Sequence, residues 1–345
     1  MSASAGEPVV LDDALVRGLL PRREPRGHKG TSGTLLVVAG SIDYLGAALL
    51  TVRAAYRAGA GLVRLAVPTS LQPMVAGRVL EAVTIGLPET DIVGEVDAGA
   101  ALDQLLDLDH DAAVIGPGLR PGLSTVDLVL DFLSATGERS PVVVDAEALN
   151  SLSTIGAWWE RAARPCVLTP HVGELKRLIS AAGEPFGADV GDLTADDAAR
   201  ATTAARAAVA WGQVVVLKGA RTVIAGGEPD PAAVTVAPYE NPALATAGTG
   251  DVLAGTIGAL LAQGCPPVDA ARIGVYLHGA AGEVARERYG GTGVVASDLP
   301  DEIARVRRRL ELVAERARSG RRLGFAVGTA RDDEPGAADR SGTPS

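Results

Sequence analysis

Eight short, nearly continuous apolar runs punctuate this chain: Leu35–Ala39, Leu62–Val67, Ala112–Ile115, Val142–Val144, Cys166–Leu168, Val214–Leu217, Val223–Ala225 and Val234–Val236. A strand with one wet face alternates apolar and polar residues, whereas one apolar at every position is covered on both faces. Most of these runs are separated by Ala/Leu-rich stretches with helical periodicity, such as Gly46–Gly59, Leu123–Ala135 and Thr194–Trp211. Strand and helix alternating in this way predict an α/β fold: a doubly wound, mostly parallel sheet flanked by helices in three layers. Val214–Leu217 and Val223–Ala225 stand too close for a crossover helix, so an antiparallel edge is expected late in the sheet.

Beyond the last run, Asp251–Gln263, Val268–Tyr289 and Asp298–Arg318 read as consecutive helices, with Gly264 and Pro266 ending the first. The basic runs Arg305–Arg309 and Arg316–Arg322 have the spacing of a solvated helix face. From about Arg321 the residues are mostly Gly, Asp, Arg and Ser without periodicity. The expected organisation is an N-terminal extension over 1–25, one catalytic domain over 26–318 and a disordered tail over 319–345. No repeat or linker divides the middle segment.

The formal net charge of −10 argues against nucleic acid as the main partner, because binding a phosphate backbone requires a basic surface. The longest apolar window, Ala243 to Cys265, carries Asp251 and several glycines and makes a poor membrane span. Met1 to Glu7 lacks the basic and apolar regions of a signal peptide. Cys166 and Cys265 have neither CxxC spacing nor a His/Cys cluster nearby, which suits a reducing compartment. These features together predict a cytoplasmic protein without a nucleic-acid or membrane partner.

In open α/β sheets, ligands bind beyond the carboxyl ends of the strands. Just past the predicted strands come Gly40-Ser41, Gly116-Pro117-Gly118, Asp145, Thr169-Pro170-His171 and Lys218-Gly219. Each alone passes for a turn, but together they outline a rim. The sharpest signal is Asn241-Pro242 followed by small residues and Gly248-Thr249-Gly250-Asp251 at the start of a helix. A glycine turn at a helix N-terminus offers free N–H groups and the positive end of the helix dipole, an anion site suited to phosphoryl transfer. Asp251 stands where it can accept a proton from an attacking hydroxyl; a plain helix cap is the competing reading.

Lys218 is one of only three lysines, with Lys29 and Lys176, in a chain that otherwise uses arginine. A compact ammonium at a strand end suits nucleotide phosphates, although a solvated hairpin lysine would occupy the same place. His171 can bond a phosphate or cap the next helix. Glu174, a candidate for holding metal-bound water, lies in the first turn of that helix, where a carboxylate is stabilising in any case. Asp145 with Asn150 can organise Mg²⁺-bound water or serve as an ordinary cap.

The motifs resemble the ADP-dependent NAD(P)H-hydrate dehydratases, ribokinase-like repair enzymes. The resemblance runs in order from about residue 26 to 310. It is carried by His28-Lys29-Gly30, Ala39-Gly40-Ser41, Gly46-Ala47, Ala58 to Val63, Gly116 to Leu119, Val144 to Asn150, Thr169-Pro170-His171, Leu217-Lys218-Gly219 and Gly248 to Leu253. It implies phosphorylation by ADP of the C6 hydroxyl of hydrated NADH or NADPH, then loss of phosphate to restore the dihydropyridine, leaving AMP. It implies that Ala47, Gly118, His171 and Asp251 contact the hydrated nucleotide, and that Lys218, Gly219, Ala220, Arg221, Thr222 and Gly250 hold the adenine nucleotide. Asp251 is then the base and Mg²⁺ the accompanying ion. A homotetramer is also implied; only about 25 residues precede the motifs, too few for the epimerase domain that some members carry in front, so a separate upstream epimerase is expected.

The chain departs from the usual pattern at Glu147, Val172, Ala243, Leu244 and Ala247. Most of these changes keep small or apolar character, so geometry shifts slightly and activity is expected to survive. Two other functions remain open on the residues: an ATP-dependent kinase of a small alcohol on the same fold, and a non-catalytic nucleotide-binding regulator.

Overall fold

The computed structural model describes residues 8–23, 26, 29–136, 140–183, 192–226 and 233–324. The first half runs β1 (Val9–Val10), α1 (Asp13–Leu19), β2 (Thr34–Val38), α2 (Leu45–Arg57), β3 (Leu62–Pro68), α3 (Gln72–Ala76), β4 (Val83–Leu87), α4 (Ala98–Leu106), β5 (Ala112–Ile115) and α5 (Leu123–Ser134). It continues with β6 (Val142–Val144), α6 (Glu147–Leu152), β7 (Cys166–Leu168), α7 (Val172–Ala182), α8 (Asp197–Trp211), β8 (Val214–Leu217), β9 (Val223–Ala225) and β10 (Val234–Val236). Three helices close it: α9 (Thr249–Ala262), α10 (Pro267–Tyr289) and α11 (Leu299–Gly324).

All the described strands join one sheet, in the order β1-β10-β9-β8-β7-β6-β5-β2-β3-β4. The chain builds outward from β2 through β3 to β4, then returns to β5 and builds the other way. The reversal therefore falls between β2 and β5, where crossovers leave in opposite directions and open a crevice. Pairing is parallel from β4 through β8. The sheet is buried on both faces: Leu35 and Val37 of β2 join one apolar cluster, and Leu36 and Val38 join the other. The first cluster is completed by α2, α9, α10 and α11, the second by α4 to α8. This is the three-layer architecture that the apolar runs predict.

The expected antiparallel strand is β9, but it is not an edge, because β10 and then β1 lie beyond it. Sequence reading omits β1 and β4. β1 has only two residues, and β4 (Val-Thr-Ile-Gly-Leu) is a partly exposed edge strand rather than an unbroken apolar run. Residues expected to form an extension before the domain contribute β1, which pairs with β10, and α1, which packs on α10 and α11. Helix α11 passes the expected boundary at 318 and ends at Gly324. The rest of the expected tail, 325–345, lies outside the described residues.

Helix α9 positions the site. Its residues from Val252 to Ala262 are all buried, the pattern of a helix enclosed on every side. It lies against α2, α10 and the sheet. Two glycines permit this: a Cβ at Gly255 would lie 2.2 Å from the Thr51 carbonyl oxygen, and one at Gly258 2.4 Å from a Val114 methyl. The Gly248–Gly250 turn thus opens a helix that cannot shift without disturbing the core. Among the described residues no helix is long and apolar enough to cross a membrane.

Candidate active site

The ends of β5 to β8 bring several predicted residues together. Asp145, just past β6, is 1% exposed and accepts a hydrogen bond from Thr169 Oγ1, past β7, at 2.7 Å. Lys218, just past β8, donates from Nζ to the same Asp145 oxygen at 2.8 Å, with Glu174 Oε2 at 3.7 Å. The Lys218 N–H donates to the Pro170 carbonyl at 2.8 Å and so ties the ends of β7 and β8. Gly116 has φ +120°, and a Cβ there would lie 1.9 Å from the Asp145 carbonyl oxygen. Only glycine lets the β5 and β6 loops approach this closely.

Above this pair stands the start of α9. Gly248, at φ +91°, is the cap residue, and no side chain bonds the first-turn N–H groups. Asp251 is the third helical residue and makes no cap bond; the Thr249 N–H donates to the Thr246 carbonyl at 3.3 Å, so the amides of Gly250 and Asp251 are the ones that stay available to an anion. A Cβ at Gly250 would lie 3.4 Å from Lys218 Nζ and 3.9 Å from Asp145 Oδ2, so bare backbone faces the ion pair. The Thr249 hydroxyl lies 2.8 Å from the Leu244 carbonyl and 2.9 Å from that of Thr246. From beneath, His278 of α10 donates Nε2–H to the Thr249 carbonyl at 2.9 Å.

The electrostatics follow from three carboxylates around one ammonium. Burial, and then the charge of Asp145, push the Asp251 carboxyl up to about 7, with Lys218 opposing. Burial works against the charge of Lys218, but Asp145, Glu174 and Asp251 outweigh it and raise its pKa. Burial holds His278 down at about 4, so the imidazole is neutral at ordinary pH. A carboxyl poised near neutrality at a helix N-terminus, facing a permanent cation, has the makings of a general base beside an anion site.

A cavity of about 500 Å³ opens from this cluster. Lys218, Gly219, Ala220, Thr222 and Gly250 line it, as do Tyr239, His278 and the apolar Leu244, Leu253 and Val275. Arg221, expected with the nucleotide group, is not part of the lining. Its backbone is left-handed (φ +52°), and its side chain pairs with Asp197 at 3.1 Å, turned toward α8.

Ala47 and Gly118 meet directly, since a Cβ on Gly118 would lie 2.8 Å from Ala47 Cβ. His171 caps α7: its Nδ1 accepts from the N–H groups of Gly173 at 3.0 Å and Glu174 at 3.3 Å, while Glu174 Oε2 accepts from the His171 N–H at 2.7 Å. The capping role puts the ring proton on Nε2. Asn150 does not join Asp145. Its amide bonds Glu147 at 3.0 Å and Arg177 at 2.8 Å, because one turn of α6 aligns it with Glu147. His28 lies outside the described residues. Sequence reading missed Tyr239 and His278; a lone histidine or tyrosine in a helix or loop reads as ordinary packing, and only the cavity distinguishes them.

The family model described as NAD(P)H-hydrate dehydratase matches residues 35–305. The chain is 44% identical over 308 residues to the bifunctional NAD(P)H-hydrate repair enzyme of Moorella thermoacetica, covering 88% of this chain and 54% of that protein. It thus spans about half the length of the first curated relatives it matches. To the ADP-dependent (S)-NAD(P)H-hydrate dehydratase of Xanthomonas campestris it is 38% identical over 293 residues, covering 84% of this chain and 93% of that one. The ADP/ATP-dependent NAD(P)H-hydrate dehydratase of Bacillus subtilis, co-crystallised with ATP/Mg²⁺, superposes with a TM-score of 0.71 at 32% identity, over 90% of this chain and 100% of that chain. A ribokinase-like superfamily protein of Enterococcus faecalis, 21% identical over 88% of this chain and 96% of its own, shares the fold with a TM-score of 0.67. The fold is therefore ribokinase-like, and the chain belongs to the NAD(P)H-hydrate dehydratase family.

Proposed function

We propose that this chain is an ADP-dependent NAD(P)H-hydrate dehydratase, acting on the (6S) hydrates of NADH and NADPH. One observation carries the reading: Asp251 opens α9 beside an uncapped glycine turn, facing the Lys218–Asp145 pair at the head of a cavity of nucleotide size. Ionised Asp251 takes the proton of the C6 hydroxyl as that oxygen attacks the terminal phosphorus of ADP, and AMP leaves. Lys218 and the N–H groups of Gly248 and Gly250 hold the charge on the transferred group. Loss of the C5 proton and of the new C6 phosphate ester then restores the dihydropyridine and releases phosphate. Ala47, Gly118 and His171 line the approach of the hydrated ring, with His171 Nε2–H as donor.

Among the described residues, no three His, Cys, Asp or Glu form a metal cage. In phosphoryl-transfer sites Mg²⁺ binds through one or two carboxylates and the substrate phosphates. Asp145 and Glu174 are the carboxylates available, and the ion would neutralise phosphate charge. The reading includes a cytoplasmic homotetramer; light scattering tests the assembly. The activity test offers the purified protein hydrated NADH with ADP or with ATP and follows the return of reduced-nicotinamide absorbance. No recovery with either donor refutes the assignment.

A further inference from the structure

One wall of the cavity is Tyr239, which lies outside every segment assigned above to the nucleotide. Its carbonyl accepts the N–H of Arg221 at 2.9 Å, fastening it to the Lys218–Thr222 connection. Its ring lies on α10 at Gly279, where a Cβ would stand 2.2 Å from Tyr239 Cδ2. Glycine is unfavourable inside a helix, and the ring contact is what this one makes room for. One turn earlier on α10, Tyr276 packs against Tyr239 with ring centroids 5.4 Å apart. The buried Tyr276 hydroxyl donates to Asp13 Oδ1 of α1. Burial and then the Asp13 bond raise the pKa of this hydroxyl and keep it a donor. Arg309 of α11 lies 3.6 Å from the same Asp13 oxygen.

Lys218 and Gly250 mark the phosphate end of the cavity. Its remaining lining mixes polar groups such as Glu240 and Asn241 with Leu244, Leu253, Val275 and this aromatic ring, and those four form an apolar wall suited to a planar base. We propose that Tyr239 is the surface on which the nucleobase of the phosphoryl donor packs, and that Asp13 acts as its positioning residue through Tyr276. The inference rests on the function proposed above. It gives α1, which precedes the segment matched by the family model, a part in nucleotide binding.

The test measures ADP binding to the full chain by titration calorimetry, together with kcat and both KM values. Tyr239→Leu is expected to weaken ADP roughly 5- to 100-fold, the range for loss of base–aromatic stacking. Tyr239→Phe keeps the ring but loses the hydroxyl bond to Tyr276, and is expected to raise KM for ADP about two- to fivefold. Tyr276→Phe is expected to raise KM for ADP about two- to fivefold, as for the loss of one hydrogen bond, and Asp13→Asn, which keeps an acceptor oxygen but not its charge, by about twofold. In all of these variants, kcat at saturating ADP and KM for the hydrate hold. Wild-type affinity in Tyr239→Leu, or equal rises in both KM values, overturns the proposal alone. A wild-type protein that binds no ADP overturns the function reading as well. Should Tyr239→Leu not fold, an unchanged KM for ADP in both Asp13→Asn and Tyr276→Phe removes the positioning role.

Discussion

The pH dependence of turnover follows directly from the charges around Asp251. If the ionised carboxylate takes the substrate proton, kcat/KM rises with pH and levels off, with its midpoint at the pKa of about 7. Asp145 raises that pKa and Lys218 lowers it, so neutralising each in turn has opposite consequences. Asp145→Asn removes a repelling charge and also frees Lys218 from its 2.8 Å partner, and both changes favour ionised Asp251. A unit charge acting over roughly 6–10 Å at an effective dielectric near 20 is worth about 1.7–2.8 kcal/mol, which moves the acid limb by about 1–2 pH units. Asp145→Asn therefore carries the midpoint down to between about 5 and 6, whereas Lys218→Met carries it above 7. The assay is initial-rate recovery of reduced nicotinamide from its hydrate, over a pH series spanning neutrality. Either variant also loses absolute rate, but the midpoint is read independently of amplitude. An acid limb that stays in place in Asp145→Asn, or moves upward, refutes this account of the site.

Asp251→Asn should lower kcat by about 10²–10⁴-fold while ADP affinity, read by calorimetry, changes little. Gly255→Ala drives a methyl toward the Thr51 carbonyl oxygen and should cost about 1–3 kcal/mol or more in chemical denaturation; an unchanged midpoint contradicts the close α2–α9 packing. His278, depressed from 6.5 to about 4, takes up its proton first in the unfolded chain. Its stabilising contribution is complete above about 6.5 and is lost as pH falls toward about 4, by up to about 3 kcal/mol. Asp251, raised instead of lowered, stabilises as pH falls through the same interval, so the comparison must be made against His278→Gln. Wild type should lose stability relative to that variant in urea titrations at falling pH; parallel curves rule the contribution out.

Much of the sheet was legible because its strands are covered on both faces. Ala112–Ile115, Val142–Val144 and the four later runs recur as strands with the same boundaries, since nothing but burial dictates their residues. The edges were not legible. β1 and β4 have half-wet surroundings, and neither carries an unbroken apolar signal. The locations of Asp145, His171 and Lys218 could also be read, because in a parallel sheet the residues just past the strands share one rim, and that of Asp251 from the glycine turn that opens α9.

Sequence order alone thus determined the layer architecture and the set of polar groups along the rim, both encoded in local periodicity and in strand ends. Tertiary packing decided which of those groups meet. Lys218 and Asp145 are 73 residues apart and close to 2.8 Å only because parallel pairing places β6, β7 and β8 side by side. Asn150 and Arg221 stand as near in sequence to the site residues, yet a helix turn and a left-handed backbone aim them elsewhere. Tyr239 and His278 join the cavity because α10 packs against α9, with Gly279 leaving room for the tyrosine ring. Close approach between distant segments depends on the shape of the whole core, and no local spacing records it.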